Sequence, residues 1–293
     1  MKKYTIGIPI TANENNTIRQ TMSSLEKDLL LDPLAGEVET IICLNKYNSE
    51  TEKIIDNIDC PTSHCRKIYS EPGLLPAQRK VIEEAGASSD FVLFYDGDIL
   101  IAPGSTKKMM DFMEKKPEVH AASGDQIAQK VNSFWYQTYN ILGLNPQIKT
   151  PRKYLTGRIF AIRKKDYGIP GFLVSDDVFL SHFLMDKYGG DAVQTVPGAS
   201  VEYRGPGTFR DYFQKRRRIG IEKGKMFEEF PELKELRSYL DKHRVPEQIA
   251  ALSKKEKLQL LLHDGIKKIC SKAMGFTSNK EVWVPLSSTK ELK

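Results

Sequence analysis

Short apolar runs alternate with amphipathic stretches through the first half of the chain. The apolar runs predict strands at residues 4–10, 37–44, 66–69, 91–95 and 120–122. The stretches between them have helical spacing, at residues 17–30, 50–58, 76–85 and 105–115. Strands connected in this way by helices are typical of an α/β protein with a mostly parallel sheet.

The second half of the chain changes character after Gly207. Before that residue, the pattern predicts strands at 153–163 and 192–203, with a helix at 177–187 between them. After it come long, strongly charged helical patterns at 209–230, 232–243 and 254–273, and then a polar tail. We therefore expect one α/β domain over residues 1–225, followed by a helical extension and tail over 226–293.

Composition narrows the class of protein. The 293 residues carry 44 Lys+Arg against 38 Asp+Glu, with 40% hydrophobic and 28% charged residues, which is ordinary for a soluble globular enzyme and excludes a fibre or a disordered linker. The net charge of +6 suits nucleotides, anionic lipid or nucleic acid without choosing among them. Since no apolar run approaches the ~20 residues that span a bilayer, and residues 1–4 lead directly into a predicted strand, we expect a cytoplasmic protein.

The cysteines predict neither a disulfide scaffold nor a zinc site. Cys43, Cys60, Cys65 and Cys270 are few and scattered, and Cys43 lies in an apolar run. Cys60 and Cys65 flank His64, but no second pair of ligands accompanies them. We expect reduced thiols.

The strongest local signal is the segment 91–98 (FVLFYDGD), an apolar strand that ends in two carboxylates separated by a glycine. In open α/β sheets, ligands bind at the carboxyl ends of the strands. At that position Asp96 and Asp98 can hold a hard divalent cation against a diphosphate. An Asp-rich turn leading into the next helix is the simpler alternative, and Asp-Gly-Asp alone does not decide between the two.

Further segments, in order, make the sequence resemble the family-2 glycosyltransferases, which have the GT-A fold. They are 6–14 (IGIPITANE), 73–79 (GLLPAQR), 155–163 (LTGRIFAIR), 174–178 (VSDDV) and 214–218 (QKRRR), the last in place of a Gln-x-x-Arg-Trp motif. The resemblance covers about residues 4–225. It implies a Rossmann-like nucleotide-binding half over 1–100 and an acceptor half over 101–225.

The resemblance also implies roles for individual residues. Asp98, with Asp96, is implied to hold Mg²⁺ or Mn²⁺, and a phosphate partner favours these hard ions over zinc. Asp177 is implied to be the general base of an inverting transfer, with Asp176 as its neighbour, although Ser175 and Asp176 alternatively cap a helix. The implied nucleotide-sugar-binding residues are Pro9, Thr11, Asn13, Glu14, Asn45, Arg79, Asp96, Gly97, Gln214, Arg217 and Arg218, and the implied acceptor-binding residues are Trp135, Thr156 and Gly157.

The sequence departs from the family at several of these positions. Gln214, Arg217 and Arg218 share one helix face by their spacing and suit a diphosphate or a bound acceptor, with a solvated basic face as the alternative. Arg218 stands where Trp is usual, which removes an aromatic platform under the acceptor. Arg79 stands where Asn is common, and Asn45 stands where an Asp often reads the base.

Two segments have alternative interpretations. Trp135 and Tyr136 suit stacking on a sugar, with core packing as an equal alternative. Residues 254–275 combine leucines with lysines, which fits peripheral contact with the inner face of the membrane. Packing of this helix against the main domain, or against a second subunit in a homodimer, is the alternative.

Together the motifs predict a metal-dependent hexosyltransferase. Its donor would be a nucleotide-diphosphate sugar, with a UDP-sugar favoured, and its acceptor a hydroxyl of a carbohydrate, a lipid-linked molecule or a small molecule. A nucleotidyltransferase is disfavoured because no glycine-rich basic loop follows the first strand. An inactive carbohydrate- or nucleotide-binding module is disfavoured by the joint presence of Asp96, Asp98 and Asp177. No nucleic-acid-binding module surrounds the arginine cluster, so nucleic acid is not an expected partner.

Overall fold

The computed structural model describes residues 3–34, 37–62, 64–86, 89–145, 154–168, 176–234 and 246–273. The strands are β1 (Lys3–Ile10), β2 (Glu37–Leu44), β3 (His64–Tyr69), β4 (Phe91–Tyr95), β5 (Ile99–Ile101), β6 (Ala121–Ala128), β7 (Ile159–Arg163) and β8 (Val193–Tyr203). The α-helices are α1 (Ile18–Leu31), α2 (Ser49–Asp56), α3 (Leu74–Glu84), α4 (Ser105–Lys115), α5 (Phe134–Tyr139), α6 (Ile141–Leu144), α7 (Asp176–Tyr188), α8 (Phe209–Glu229), α9 (Pro246–Ala250) and α10 (Lys254–Ala273).

The eight strands form one mixed sheet in the order β3-β2-β1-β4-β7-β6-β8-β5. Parallel pairs join β3 to β2, β2 to β1, β1 to β4 and β6 to β8. Antiparallel pairs join β7 to β4 and to β6, and β5 to β8. Six strands therefore run in one direction, and β7 and β5 run in the other. The expected α/β sheet is confirmed, with two reversed strands in its second half.

The sheet separates two hydrophobic clusters because side chains alternate along its central strands. On β4, Phe91, Leu93 and Tyr95 enter the cluster that contains the buried side chains of α1 and α4, while Val92 and Phe94 enter the cluster that contains those of α3 and α7. All five of these β4 residues are buried. A central strand covered by helices on both faces explains why this segment is a continuous apolar run.

The second half of the sheet curls. Only residues 96–98 join β4 to β5, although four strand pairings separate these strands in the sheet. Neighbouring strands lie about 4.8 Å apart, so a flat sheet would place them roughly 19 Å apart. The four steps from Tyr95 to Ile99 span at most roughly 14 Å. The curl brings β5 back toward the end of β4.

Several elements differ from the pattern-based expectation. β7 begins at Ile159 rather than at residue 153, and β6 continues to Ala128 rather than ending at 122. β5, α5, α6 and α9 were not predicted, because segments of three to six residues are too short to show a period. The predicted helix at 232–243 lies mostly outside the described residues, as does the polar tail, and Pro231–Lys234 forms a 3-10 turn.

One face of α10 packs on the main domain, against α5, α6 and α8. Gln259, Leu260 and His263 are buried there, while Leu258 and Leu261 are exposed. This packing confirms one of the alternatives for residues 254–275, whereas membrane contact and a homodimer stay predictions. Within the part of the chain that the structure describes, no helix combines the length and apolarity needed to cross a bilayer.

Candidate active site

The Asp-Gly-Asp segment follows β4 directly, and its backbone is held from two sides. On one side, the Asp96 N–H donates to the carbonyl oxygen of Arg158 at 3.2 Å. On the other, the buried hydroxyl of Thr17 donates to the carbonyl oxygen of Gly97 at 2.9 Å. The two half-buried carboxylates of Asp96 and Asp98 therefore project from a fixed backbone.

A stripe of polar side chains on α1 extends this support. The stripe consists of Thr17, Thr21, Ser24 and Asp28, spaced so that they share one face of the helix. The hydroxyl of Thr21 donates to the Ile99 carbonyl at 2.8 Å and accepts the Ile99 N–H at 3.3 Å. The Ser24 hydroxyl accepts the N–H of Ile101 at 3.0 Å, and the carboxylate of Asp28 accepts the N–H groups of Ser105 and Thr106, each at 3.0 Å.

The α1 stripe was not found by the sequence reasoning, which judged this helix by its apolar positions alone. The available signal was the spacing of its polar residues, because hydroxyl and carboxyl side chains on a buried helix face need partners. The stripe ties the helix to β5 and to the start of α4. The Asp-Gly-Asp segment thus lies between two anchored stretches of backbone.

The predicted residues Thr11, Asn13 and Glu14 form the turn after β1, and Glu14 lies beside Gly97. The Thr11 N–H donates to the Glu14 carboxylate at 2.6 Å, the Thr11 hydroxyl bonds to the same oxygen, and the Asn13 N–H donates to the Thr11 hydroxyl at 3.3 Å. A Cβ at position 97 would lie 3.0 Å from Cγ of Glu14. Glycine at this position therefore allows the turn after β1 to pack on the Asp-Gly-Asp segment. Pro9, also a predicted ligand, lies within β1 opposite Cys43.

Asn45 joins the ends of β1 and β2 to the start of α3. Its amide Nδ2 donates to the carbonyl oxygen of Ile10 at 3.1 Å, and its Oδ1 accepts the N–H of Gly73 at 3.3 Å. Gly73 has a φ of +134°, in the region that favours glycine. Arg79, also predicted to bind the nucleotide sugar, is exposed on α3.

Residues 157 and 158 connect the predicted base to the Asp-Gly-Asp segment. The N–H of Gly157 donates to the carboxylate of Asp177 at 3.1 Å, while the carbonyl of Arg158 accepts the N–H of Asp96. The buried Thr156 hydroxyl donates to the carbonyl of Gly124 at 3.1 Å. The structure thus brings the predicted acceptor-site residues Thr156 and Gly157 together with Asp177 and Asp96.

The side chain of Asp177 also accepts a hydrogen bond from the backbone of its own helix, α7. Its carboxylate accepts the N–H of Val178 at 2.7 Å in the first turn of α7. The capping alternative for Ser175 and Asp176 stays a prediction. Asp176 is described only as the first backbone position of α7, and Ser175 lies outside the described residues.

α8 places Lys215 near Asp98, which the sequence reasoning missed. Burial of its ammonium group holds the pKa of Lys215 well below its usual range, and the charges of Arg158, Arg218 and Arg216 act in the same direction. The carboxylate of Asp98 acts in the opposite direction. The spacing of Lys215 and Arg218 on one helix face was the available signal.

The other residues predicted around this helix are placed differently. Gln214 and Arg218 are half-buried, whereas Arg217 is exposed.

The predicted acceptor-binding residue Trp135, on α5, is also exposed, and its ring stacks on Tyr139 with centroids 5.8 Å apart. Tyr136, in contrast, is buried, so core packing applies to this neighbour.

The donor set at the end of β4 fits a hard divalent cation. Among the described residues, no group of three or more His, Cys, Asp and Glu side chains comes together as a metal cluster. Mg²⁺ needs no such cluster in nucleotide enzymes, because one or two carboxylates suffice when substrate phosphates and waters complete its shell. Asp96 and Asp98 supply two carboxylates.

The fold and the arrangement of these segments define the α/β GT-A class of glycosyltransferases. A family model described as glycosyl transferase family 2 matches residues 6–175, which is more than half of the chain. The chain belongs to this family. The resemblance inferred from the motifs is confirmed.

Solved structures share the fold at low sequence identity. A mannosyltransferase from Pyrobaculum calidifontis, in complex with GDP-mannose and Mn²⁺, is 17% identical with a TM-score of 0.57, over 93% of this chain and 74% of that one. A mycobacterial protein is 17% identical with a TM-score of 0.52, over 74% and 72% of the chains. Glucosyl-3-phosphoglycerate synthase from Mycobacterium tuberculosis, with Mn²⁺, UDP-glucose and phosphoglyceric acid, is 15% identical with a TM-score of 0.50, over 75% and 78%. A search of curated proteins found no match.

Proposed function

We propose that this protein transfers a hexosyl group from a nucleotide-diphosphate sugar, a UDP-sugar in the first instance, to an acceptor hydroxyl with inversion at the anomeric carbon. One observation carries the proposal. The adjacent residues Gly157 and Arg158 hydrogen-bond to Asp177 and to the backbone of Asp96, respectively. A carboxylate suited to proton removal is thereby fixed near two carboxylates suited to a metal-bound diphosphate.

Asp98 and Asp96 are the residues that would hold Mg²⁺ or Mn²⁺. When bound, the cation would offset the negative charge that develops on the departing diphosphate. The backbone bonds from Thr17 and to Arg158 keep the segment that carries both carboxylates in place. Such preorganisation favours catalysis because the groups need no reordering as charge develops.

Arg158 and Arg218 add positive charge on the side of Asp98. Both lie close enough to Lys215 to help hold its pKa below the usual range, after burial of its ammonium group. A diphosphate leaving group is stabilised by cations placed where its charge appears. We assign Arg218 to that role, together with the predicted ligand Gln214 on α8, while a role for the exposed Arg217 stays a prediction.

Asp177 is the proposed general base. A base must face the acceptor hydroxyl at hydrogen-bond distance, so its orientation matters as much as its charge. The N–H groups of Gly157 and Val178 bind the carboxylate from a loop and from a helix, which fixes that orientation. Attack by the hydroxyl that Asp177 deprotonates, on the face of the sugar opposite the diphosphate, gives inversion.

The decisive experiment is calorimetry of the full chain with a panel of UDP-, GDP-, ADP- and dTDP-sugars, with and without Mn²⁺ or Mg²⁺. We expect one donor class to bind only with the metal and to be hydrolysed slowly without an acceptor. Asp98→Asn should abolish the metal-dependent part of binding, while Asp59→Asn, at an exposed surface position, should leave it unchanged. Metal-independent binding of all donors, or no binding, would refute the proposal.

A further inference from the structure

A cavity of about 140 Å³ adjoins the proposed active site on the side of α8. It lies between the second half of the sheet and the helices α5, α6, α8 and α10, and we call it the basic cavity. Its lining includes Gln126, Tyr203, Tyr212, Lys215, Arg216 and His263. Since a cavity needs roughly 10–15 Å³ to hold one water, this one has room for a small polyatomic group.

Positive charge is concentrated at this cavity. Lys215 and Arg216 line it, and the charges of Arg158 and Arg218 also act on Lys215. Asp98 is the carboxylate that acts on Lys215 in the opposite sense. No salt bridge within the described part of the chain involves Arg158, Lys215 or Arg216. Clustered cations removed from water are unfavourable unless an anion joins them.

Arg216 is held in position before any ligand arrives. Its Nε donates to the hydroxyl of Tyr212 at 3.1 Å, and its Nη2 lies 3.5 Å from Nε2 of the buried His263. The ring of Tyr212 stacks on that of Tyr139 with centroids 4.4 Å apart. A guanidinium fixed in this way loses little conformational freedom on binding, and its planar fork matches the oxygens of a phosphate or carboxylate.

Arg158 connects the basic cavity to the proposed catalytic groups. Its Nη1 donates to the cavity residue Gln126 at 2.8 Å, and its guanidinium lies 3.9 Å from the ring centre of Tyr203. Its Nε is buried and has no hydrogen-bond partner among the described residues. The carbonyl of the same residue accepts the N–H of Asp96.

We propose that the basic cavity binds a phosphate or carboxylate group that belongs to the acceptor. The lining comes from β6, β8 and the later helices, whereas the predicted donor ligands at the ends of β1, β2 and β4 lie outside it. Tyrosine rings on its walls suit the carbon skeleton that carries the acid group. The assignment rests on the proposed function, because it names the class of acceptor for that reaction.

Calorimetric titration of the full chain with inorganic phosphate tests the assignment. We expect phosphate to bind the unmodified protein, Arg216→Gln to weaken binding at least tenfold, and Arg216→Lys to have an intermediate effect. Arg210→Gln removes the same charge from an exposed position on α8 and should change binding less than twofold. The absence of phosphate binding, or equal affinities in all four proteins, would overturn the proposal. Melting temperatures show whether Arg216→Gln is folded. If it is not, the phosphate affinity of Arg216→Lys tests the proposal instead.

A second titration separates the acceptor from the donor as the source of the anion. With Mg²⁺ and saturating UDP or GDP present, phosphate should still bind with similar affinity. Competition between nucleotide and phosphate would show that the basic cavity receives the donor diphosphate, which contradicts the acceptor assignment. If no sugar nucleotide binds while phosphate binding still depends on Arg216, the proposed function fails and the anion site stands.

Discussion

The backbone N–H of Gly157 donates a hydrogen bond to the carboxylate of Asp177 at 3.1 Å. The next residue, Arg158, accepts the N–H of Asp96 with its carbonyl. Two neighbouring residues therefore set the relation between the proposed base and the proposed metal-binding segment. A shift of this loop would displace both groups together.

Replacing Asp177 by Asn should lower transfer by about 10²–10⁴-fold, since that is the contribution typical of a positioned general base. Donor affinity should stay within about threefold. Product formation and donor calorimetry, measured on the same preparation, separate the two effects. Asp186→Asn, an exposed carboxylate on the same helix, is the matched control and should retain full transfer. A loss of donor affinity in Asp177→Asn would contradict the role of a base.

Replacing Thr21 by Val should destabilise the protein by about 1–3 kcal/mol, because it leaves the Ile99 carbonyl and N–H without their hydroxyl partner in a buried site. Metal-dependent donor binding should weaken as well, since the α1 stripe supports the Asp-Gly-Asp segment. Urea denaturation gives the free energy of unfolding. Ser23→Ala, at an exposed position on the same helix, should change it by less than about 0.5 kcal/mol. Equal effects of the two substitutions would disprove the support by α1.

Gly97→Ala should reduce metal-dependent donor affinity by about tenfold. The added Cβ would lie 3.0 Å from Cγ of Glu14, whose carboxylate is already bound by Thr11, so the turn after β1 must shift. Calorimetry with the donor found in the panel measures the change. The control is Gly190→Ala, where a Cβ meets nothing within 4 Å. Wild-type affinity in Gly97→Ala would show that the close packing has no role in binding.

Cys60 should be alkylated faster than Cys43 at neutral pH. Cys43, Cys60 and Cys65 are free thiols in the described part of the chain. A hydrogen bond from the Cys65 thiol is the main cause that lowers the pKa of Cys60 to about 6, whereas burial raises the pKa of Cys43. The thiolate is the reactive form, so the iodoacetamide rate at Cys60 should level off between pH 6 and 8. Cys65→Ala should move the rise to higher pH, and a wild-type rate still rising at pH 9 would be inconsistent with this assignment.

The sequence predicted the central strands and long helices well because their patterns are unambiguous. β4 is apolar at every position, and α10 begins and ends where its leucine and lysine pattern does. β5 was not predicted because its three residues form a strand only by pairing with β8, which lies about 100 residues later in the chain.

The candidate site was predictable where a side chain stands in a recognised motif, as for Asp96, Asp98 and Asp177. It was not predictable where the contact depends on tertiary packing. Lys215 differs from Arg217 by two helical positions, and only the docking of α8 decides that Lys215 lies near Asp98 while Arg217 is exposed. For the same reason no local sequence pattern predicts the basic cavity, because its lining residues come from four regions of the chain.

The curl of the sheet constrains how this enzyme can change in evolution. Residues 96–98 both carry the carboxylates and close the span between β4 and β5, which a flat arrangement would exceed. A side-chain replacement at either aspartate leaves this connection intact, whereas deletion of a single residue changes both the connection and the spacing of the two carboxylates. The chemistry at this position can therefore change by substitution more readily than by deletion.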